Sequence, residues 1–227
     1  RNTIFLGMNF ERKLFSAPMH RWNQEFRPHL MSLIRYHEVE TATDESLLWP
    51  FVTSKVITDK LCSSRSTLRN FYLHKGPDLT YDNQGIHWDK SLGKMMPLFY
   101  KTNAYNRISV ALIPPPVEDA QGKASTTTAQ KFIWFKDEES RDLAFSLFNT
   151  KWIFAWWAMY GDDLNVTQDI LLSFPVEFEK ITPKDKSKLL MLAKKLHVSM
   201  TSSVKWKKNA GLKVGSWDVT NAKDILT

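Results

Sequence analysis

The chain has 227 residues, enough for one large domain or two small ones, and its 31 Lys and Arg against 24 Asp and Glu give a formal charge of +7. That balance favours a polyanionic partner, because clustered cations displace counterions from a phosphate backbone. A single cysteine, Cys62, excludes an intramolecular disulfide framework and a Cys-rich zinc site and suits a reducing cytoplasm, while no apolar run is long enough to cross a bilayer, so no membrane partner is expected.

Over the first ninety-odd residues Arg12, Lys13, Arg21, Arg27 and Arg35 are interleaved with Phe10, Phe15, Trp22, Phe26 and Tyr36. This fits either a nucleic-acid surface or ordinary amphipathic surface segments, the second reading being ahead. Ser54 to Cys62 places Val56, Ile57 and Leu61 at helical spacing and predicts a short amphipathic helix. Asn70 to Lys75 and Ile86 to Trp88 flank the turn-rich Tyr81-Asp82-Asn83-Gln84-Gly85, which predicts a β-hairpin. Tyr105 to Ile113 reads as a strand closed by Pro114-Pro115-Pro116, since proline cannot donate to a ladder. Glu118 to Gln130, small, polar and rich in Thr and Ser, reads as a mobile loop, and Lys131 to Phe135 as a second strand.

Asp137, Glu138 and Glu139 put negative charge on the first turn of a helix, where the macrodipole favours it. Seven of the sixteen residues from Phe145 to Tyr160 are aromatic. Phe148, Trp152, Trp156 and Tyr160 recur at every fourth position with Ile153 and Trp157 beside them, so this helix, or pair of helices broken near Asn149, is expected to be buried on much of its circumference. A core role is ahead of a base-stacking platform for these aromatics.

Thr182-Pro183-Lys184-Asp185 is a helix start with Thr as N-cap, Pro at the first helical position and an acid in the first turn. The helix should bury Leu189, Leu192, Ala193 and Leu196 and put Lys184, Lys188 and Lys195 on the opposite face. Between Lys180 and Gly215 there are ten lysines and one acid, Asp185. They continue into Lys205, Trp206, Lys207, Lys208 and Lys213, read as a basic loop for which phosphate contact and a merely solvated face stand level. The expected fold class is α+β: mixed or antiparallel strands packed on an aromatic-rich buried helix, with a further C-terminal helix. Residues 1–96 would be an N-terminal part, which could form a subdomain, and 97–227 the core. Because the chain opens at Arg1 and stops inside an apparent helix, Thr220 to Leu226, it is expected to be a piece of a larger protein.

The six histidines show no metal-binding spacing, and neither a Gly-x-Gly-x-x-Gly nor a Gly-x-x-x-x-Gly-Lys sequence occurs. Asp89 and Lys90 are adjacent and point apart, which fails the spacing of a metal-dependent nuclease core. Asp162-Asp163 reads as a loop or cap ahead of a cation site.

The block Phe148-Asn149-Thr150-Lys151-Trp152-Ile153-Phe154-Ala155-Trp156-Trp157, followed by Tyr160-Gly161-Asp162, Asn165-Val166-Thr167 and Phe174-Pro175, resembles a part of bacterial adenine-specific DNA methyltransferases of the type IIG restriction-modification and phage-exclusion classes. Phe99-Tyr100-Lys101, Tyr105-Asn106-Arg107 and Gly215-Ser216-Trp217-Asp218 are similar to segments on either side of that part. The resemblance covers about Pro97 to Glu179, is looser toward the C-terminus and weak before Pro97. The chain departs from the pattern at Thr150, where Ser is commoner, and at Asp163. The resemblance implies a non-catalytic target recognition domain that clamps duplex DNA against the methyltransferase domain of the same parent chain. The Asn/Asp-Pro-Pro-Tyr motif and the glycine-rich S-adenosylmethionine site of that family are absent here, so no cofactor is expected in this fragment. Within this reading Lys184, Lys188, Lys205, Lys207, Lys208 and Lys213 are the candidate phosphate contacts. Asn103, Asn106 and Arg107 are the candidate base-edge contacts, since Asn and Arg can pair bidentately with adenine and guanine, and Arg65 and Arg69 are weaker candidates. The alternative is a protein-interaction or scaffolding domain with a solvated basic surface.

Overall fold

The computed structural model describes residues 66–73, 76, 79–82, 85–89, 91, 95–104, 107–161 and 164–222, with short segments at 5–8, 13–16, 25, 27–29, 32 and 37–39. The expected helix at 54–62, Asn106, Arg65, Asp162-Asp163 and the end of the expected final helix lie outside the described residues. The backbone at β1 (Phe5–Met8), β2 (Lys13–Ser16) and β3 (His37–Val39) forms an antiparallel sheet in that order.

The central sheet is built from β4 (Tyr72–Leu73), β7 (Met96–Lys101), β8 (Val110–Ala111) and β10 (Gln130–Phe135) in the order β4-β10-β7-β8, all antiparallel. Its sequences are rich in aromatic and β-branched residues, which suit a pleated buried surface. Alternation along β7 and β10 puts Leu98, Tyr100, Ile133 and Phe135 on one face and Phe99, Lys101, Gln130, Phe132 and Trp134 on the other. A second hairpin joins β5 (Thr80–Asp82) to β6 (Gly85–His87). The expected strand at 70–75 is therefore split: Tyr72 and Leu73 pair with β10, and the hairpin begins only at Thr80. Of the expected strand at 105–113, residues 105–106 lie outside the described residues and only Val110–Ala111 form a strand, while just before it Ala104 N donates to Leu164 O and Asn103 bridges Asn165.

Helix α1 (Glu138–Phe148) starts at Asp137, whose side chain accepts from Ser140 N, and packs on the sheet through Leu143, Ala144, Phe145 and Phe148. It lies on the Leu98/Ile133 face, as the Arg141 contact with Met96 Sδ shows. The aromatic stretch does break at Asn149, whose side chain donates to Phe145 O, and α2 (Lys151–Tyr160) begins two residues later. Ile153, Trp156, Trp157 and Tyr160 are buried, and the indole N–H groups of Trp156 and Trp157 donate to Ile170 O and Asn165 O. Trp152 is the correction. It is 44% exposed although it shares a face with the buried Trp156 and Met159; it lies on the first turn of α2, next to the exposed Lys151.

Helix α3 (Gln168–Leu172) and the 3₁₀ turn Leu68–Asn70 close one side of the core. Helix α4 (Pro183–Thr201) has the expected cap, with Asp185 N donating to Thr182 Oγ1, and lays Leu189, Ala193 and Leu196 toward α1. The chain is thus an α+β protein whose aromatic cluster lies under a sheet and is backed by a long helix. The stretch 119–129 is organised by Asp119, which accepts from the backbone N–H of Gln121 and Lys123.

Candidate nucleic-acid interface

The segment read as a basic loop is a β-ribbon. Strand β11 (Val204–Asn209) pairs with β12 (Leu212–Trp217) along its whole length, and β12 pairs with β9 (Val117–Glu118) at two positions only. The tip residues Ala210 and Gly211 have φ of 47° and 81°, the signs that a two-residue type I′ turn requires. Gly215 lets β12 approach the proline run, since a Cβ there would meet Pro116 O at 2.6 Å, and its N–H donates to that oxygen.

Residues directly opposite in an antiparallel pair share a face. Trp206, Lys208 and Lys213 therefore stand on one side of the ribbon, and Lys205, Lys207, Val214 and Ser216 on the other. Lys213 Nζ is 2.9 Å from Glu118 and 4.3 Å from the centre of the Trp206 ring. Lys205 Nζ is 2.9 Å from Asp218, whose carboxyl is held far below its ordinary value by hydrogen bonds from Thr220 and Lys205. Lys207 and Lys208 are exposed and meet no carboxylate among the described residues. Of the four ribbon lysines, two are thus neutralised locally and two are available to an outside anion.

Lys184 and Lys188 are exposed on the outer face of α4, as expected. At 1.5 Å per helical residue they lie about 26 Å and about 20 Å from the end of α4 that leads into the ribbon, so they form a separate patch. Arg69 is engaged by Asp169 at 2.9 Å.

Asn103 and Arg107 are brought together, but in a recess. They line a groove of about 250 Å³ between the Phe99 face of the central sheet and the Lys205 side of the ribbon, with Lys101, Ser109, Thr127 and Ser216 on its other walls. Arg107 donates to Trp217 O at 3.3 Å, and burial lowers its pKa, with the Asp218 charge opposing. Lys101, Ser109 and Thr127 were not singled out as contacts in the sequence, because the groove exists only where two sheets meet. On the far side of Arg107 a cavity of about 210 Å³ is walled by Phe148, Phe154 and Val219.

Among the described residues no group of three or more His, Cys, Asp or Glu could hold a metal ion, and no helix is long and apolar enough to cross a membrane. Comparison with protein-family models, with curated proteins and with solved structures finds no match.

Proposed function

We infer that this chain binds duplex DNA, as a target recognition domain of an adenine-specific methyltransferase whose catalytic and S-adenosylmethionine-binding parts lie in a separate domain. The observation that carries the reading is the β-ribbon Val204–Trp217, with Lys207 and Lys208 exposed and meeting no carboxylate among the described residues, beside the half-exposed Trp206. A two-stranded ribbon is narrow enough for the major groove, and lysines along it would meet phosphates on the groove walls. Lys184 and Lys188 would supply a second point of contact further along the duplex. The ribbon, ahead of Asn103 and Arg107, makes the first contact, because those two side chains are recessed. A scaffolding role has one observation in its favour: α4 exposes Met191 and Val198 on the stripe that carries Lys184, Lys188 and Lys195.

Fluorescence anisotropy with a labelled duplex, repeated over a range of salt, tests the reading. Lys207→Ala with Lys208→Ala should weaken binding and flatten the logarithmic salt dependence by about 0.9 for each phosphate that is no longer neutralised. Lys213→Ala should do less, since Glu118 already neutralises that cation. An unchanged salt slope in the double variant removes the ribbon from the interface and leaves the scaffolding role as the better account.

A further inference from the structure

The groove under the ribbon has a composition that the duplex-binding reading does not use. Its described lining residues include two cations, Lys101 and Arg107, and no carboxylate. The Asp218 charge acts on Arg107, and that carboxylate is already committed to Lys205 and the Thr220 N–H. Among the described residues Arg107 makes one long hydrogen bond, to Trp217 O at 3.3 Å, and a guanidinium carries five N–H donors. Lys101 Nζ has no hydrogen-bond or ion-pair partner among the described residues, although its side chain is only partly exposed. Backbone contacts hold two of the lining segments: Lys101 N donates to Ser109 O, and Asn103 bridges Asn165.

Both cations line one recess, and the Arg107 guanidinium has lost part of its hydration by burial, a cost that an anion in the groove would offset. The planar guanidinium fork suits a tetrahedral oxyanion through two parallel N–H···O bonds, with the ammonium as a point charge on the third oxygen. At about 250 Å³ the groove admits more than a bare ion and less than a drug-sized ligand. We propose that the groove between the central sheet and the ribbon is a phosphoryl-binding site, with Arg107 and Lys101 as the anion ligands and Asn103 and Ser109 as neutral donors on its wall. The phosphoryl group can come from free phosphate or from a nucleic acid strand end or backbone. The site lies on the Lys205 side of the ribbon and does not require that the ribbon itself hold a duplex.

Amide and side-chain NMR shifts of the ¹⁵N-labelled full chain, titrated with inorganic phosphate and separately with a 5′-phosphorylated dinucleotide, read the site directly. A dinucleotide is too short to engage the ribbon as a duplex. Saturable shifts confined to residues 101–109 and 214–216 are expected with at least one probe. Response to inorganic phosphate assigns a free-anion site, and response to the dinucleotide alone assigns a nucleic acid phosphate. Arg107→Gln should weaken the response at least tenfold, and Lys101→Gln, a change at the groove rim that leaves the core packing intact, at least threefold. Lys208→Ala, on the opposite side of the ribbon from the groove, should leave it unchanged even if duplex binding weakens, which separates failure of the ribbon from failure of the groove. Absence of saturable shifts with both probes, or equal binding in wild type and Lys101→Gln, overturns the assignment.

Discussion

An ion pair on α1 has a histidine of α4 beside it. Arg141 reaches Asp142 at 2.7 Å and Glu138 at 3.1 Å, with the Arg141 and Asp142 side chains 12% and 8% exposed. His197 on α4 sits near this pair and has its pKa lowered below 6.5, first by burial and then by the Arg141 charge, with Asp142 opposing. The imidazole is thus neutral in the fold at pH values where the unfolded chain already binds a proton. The unfolded state then holds more protons, so stability rises with pH up to the unfolded value near 6.5 and is lost progressively as pH falls below it. Above about pH 7 the group contributes no slope. Urea midpoints measured at pH 5.5 and 7.5 should therefore differ, with the lower midpoint at pH 5.5. His197→Gln, which keeps a polar side chain without a titrating ring, should shrink that difference. An undiminished difference in the variant would move the pH dependence to another group.

At the scale of elements the ribbon turn is suboptimal. Ala210 adopts φ 47°, in the left-handed region where a Cβ crowds the following carbonyl at a cost of about 1 kcal/mol. Asn tolerates that conformation, and Asn-Gly is a favoured pair for a type I′ turn. Ala210→Asn should stabilise the ribbon by about 0.5–1 kcal/mol, seen as slower hydrogen exchange of the β11 and β12 amides. Faster exchange would mean that the tip is not held in this turn. The helix starts were legible because a cap is a local feature: Thr182-Pro183 and Asp137 each sit beside the N–H groups they satisfy. The ribbon was not. Lys205, Trp206, Lys207, Lys208 and Asn209 are all exposed, so β11 shows no alternation of apolar and polar residues, and its order comes from pairing with a strand that leans on Pro116. Trp152 failed for a different reason: helical phase puts it with the buried Trp156, but it lies on the first turn of α2, where Lys151 is exposed as well. The candidate site divides in the same way. Exposure of Lys184 and Lys188 followed from helical phase, whereas the recess that holds Asn103 and Arg107 depends on how two sheets meet.

Taken whole, the core is not confined to residues after 96. Leu68 is fully buried, its N–H donates to Phe174 O, and Val176 N donates to Ser66 O. Tyr72 and Leu73 add a strand to β10, and Phe71 packs against Phe178 with ring centres 4.8 Å apart. Further along, Gly76 lies flat against the Trp134 indole, where a Cβ would collide with the ring, and Trp88 meets the same indole edge-on at 5.9 Å. Residues 66–73 therefore close one end of the hydrophobic cluster that also contains Trp156 and Phe174. Two domains meeting at 96/97 would unfold separately, and a cavity at Leu68 would then leave the later one untouched. A single core behaves otherwise. Leu68→Ala removes a fully buried side chain with no solvent-facing route for collapse, so it should cost about 2–5 kcal/mol. The loss should appear as one cooperative urea transition, shifted as a whole, when followed by the fluorescence of the tryptophans, of which Trp156 and Trp157 are buried on α2. If instead the Leu68→Ala profile splits, with a later transition at the wild-type midpoint, the segment before residue 96 folds independently, and the β4–β10 pairing is a contact between two units.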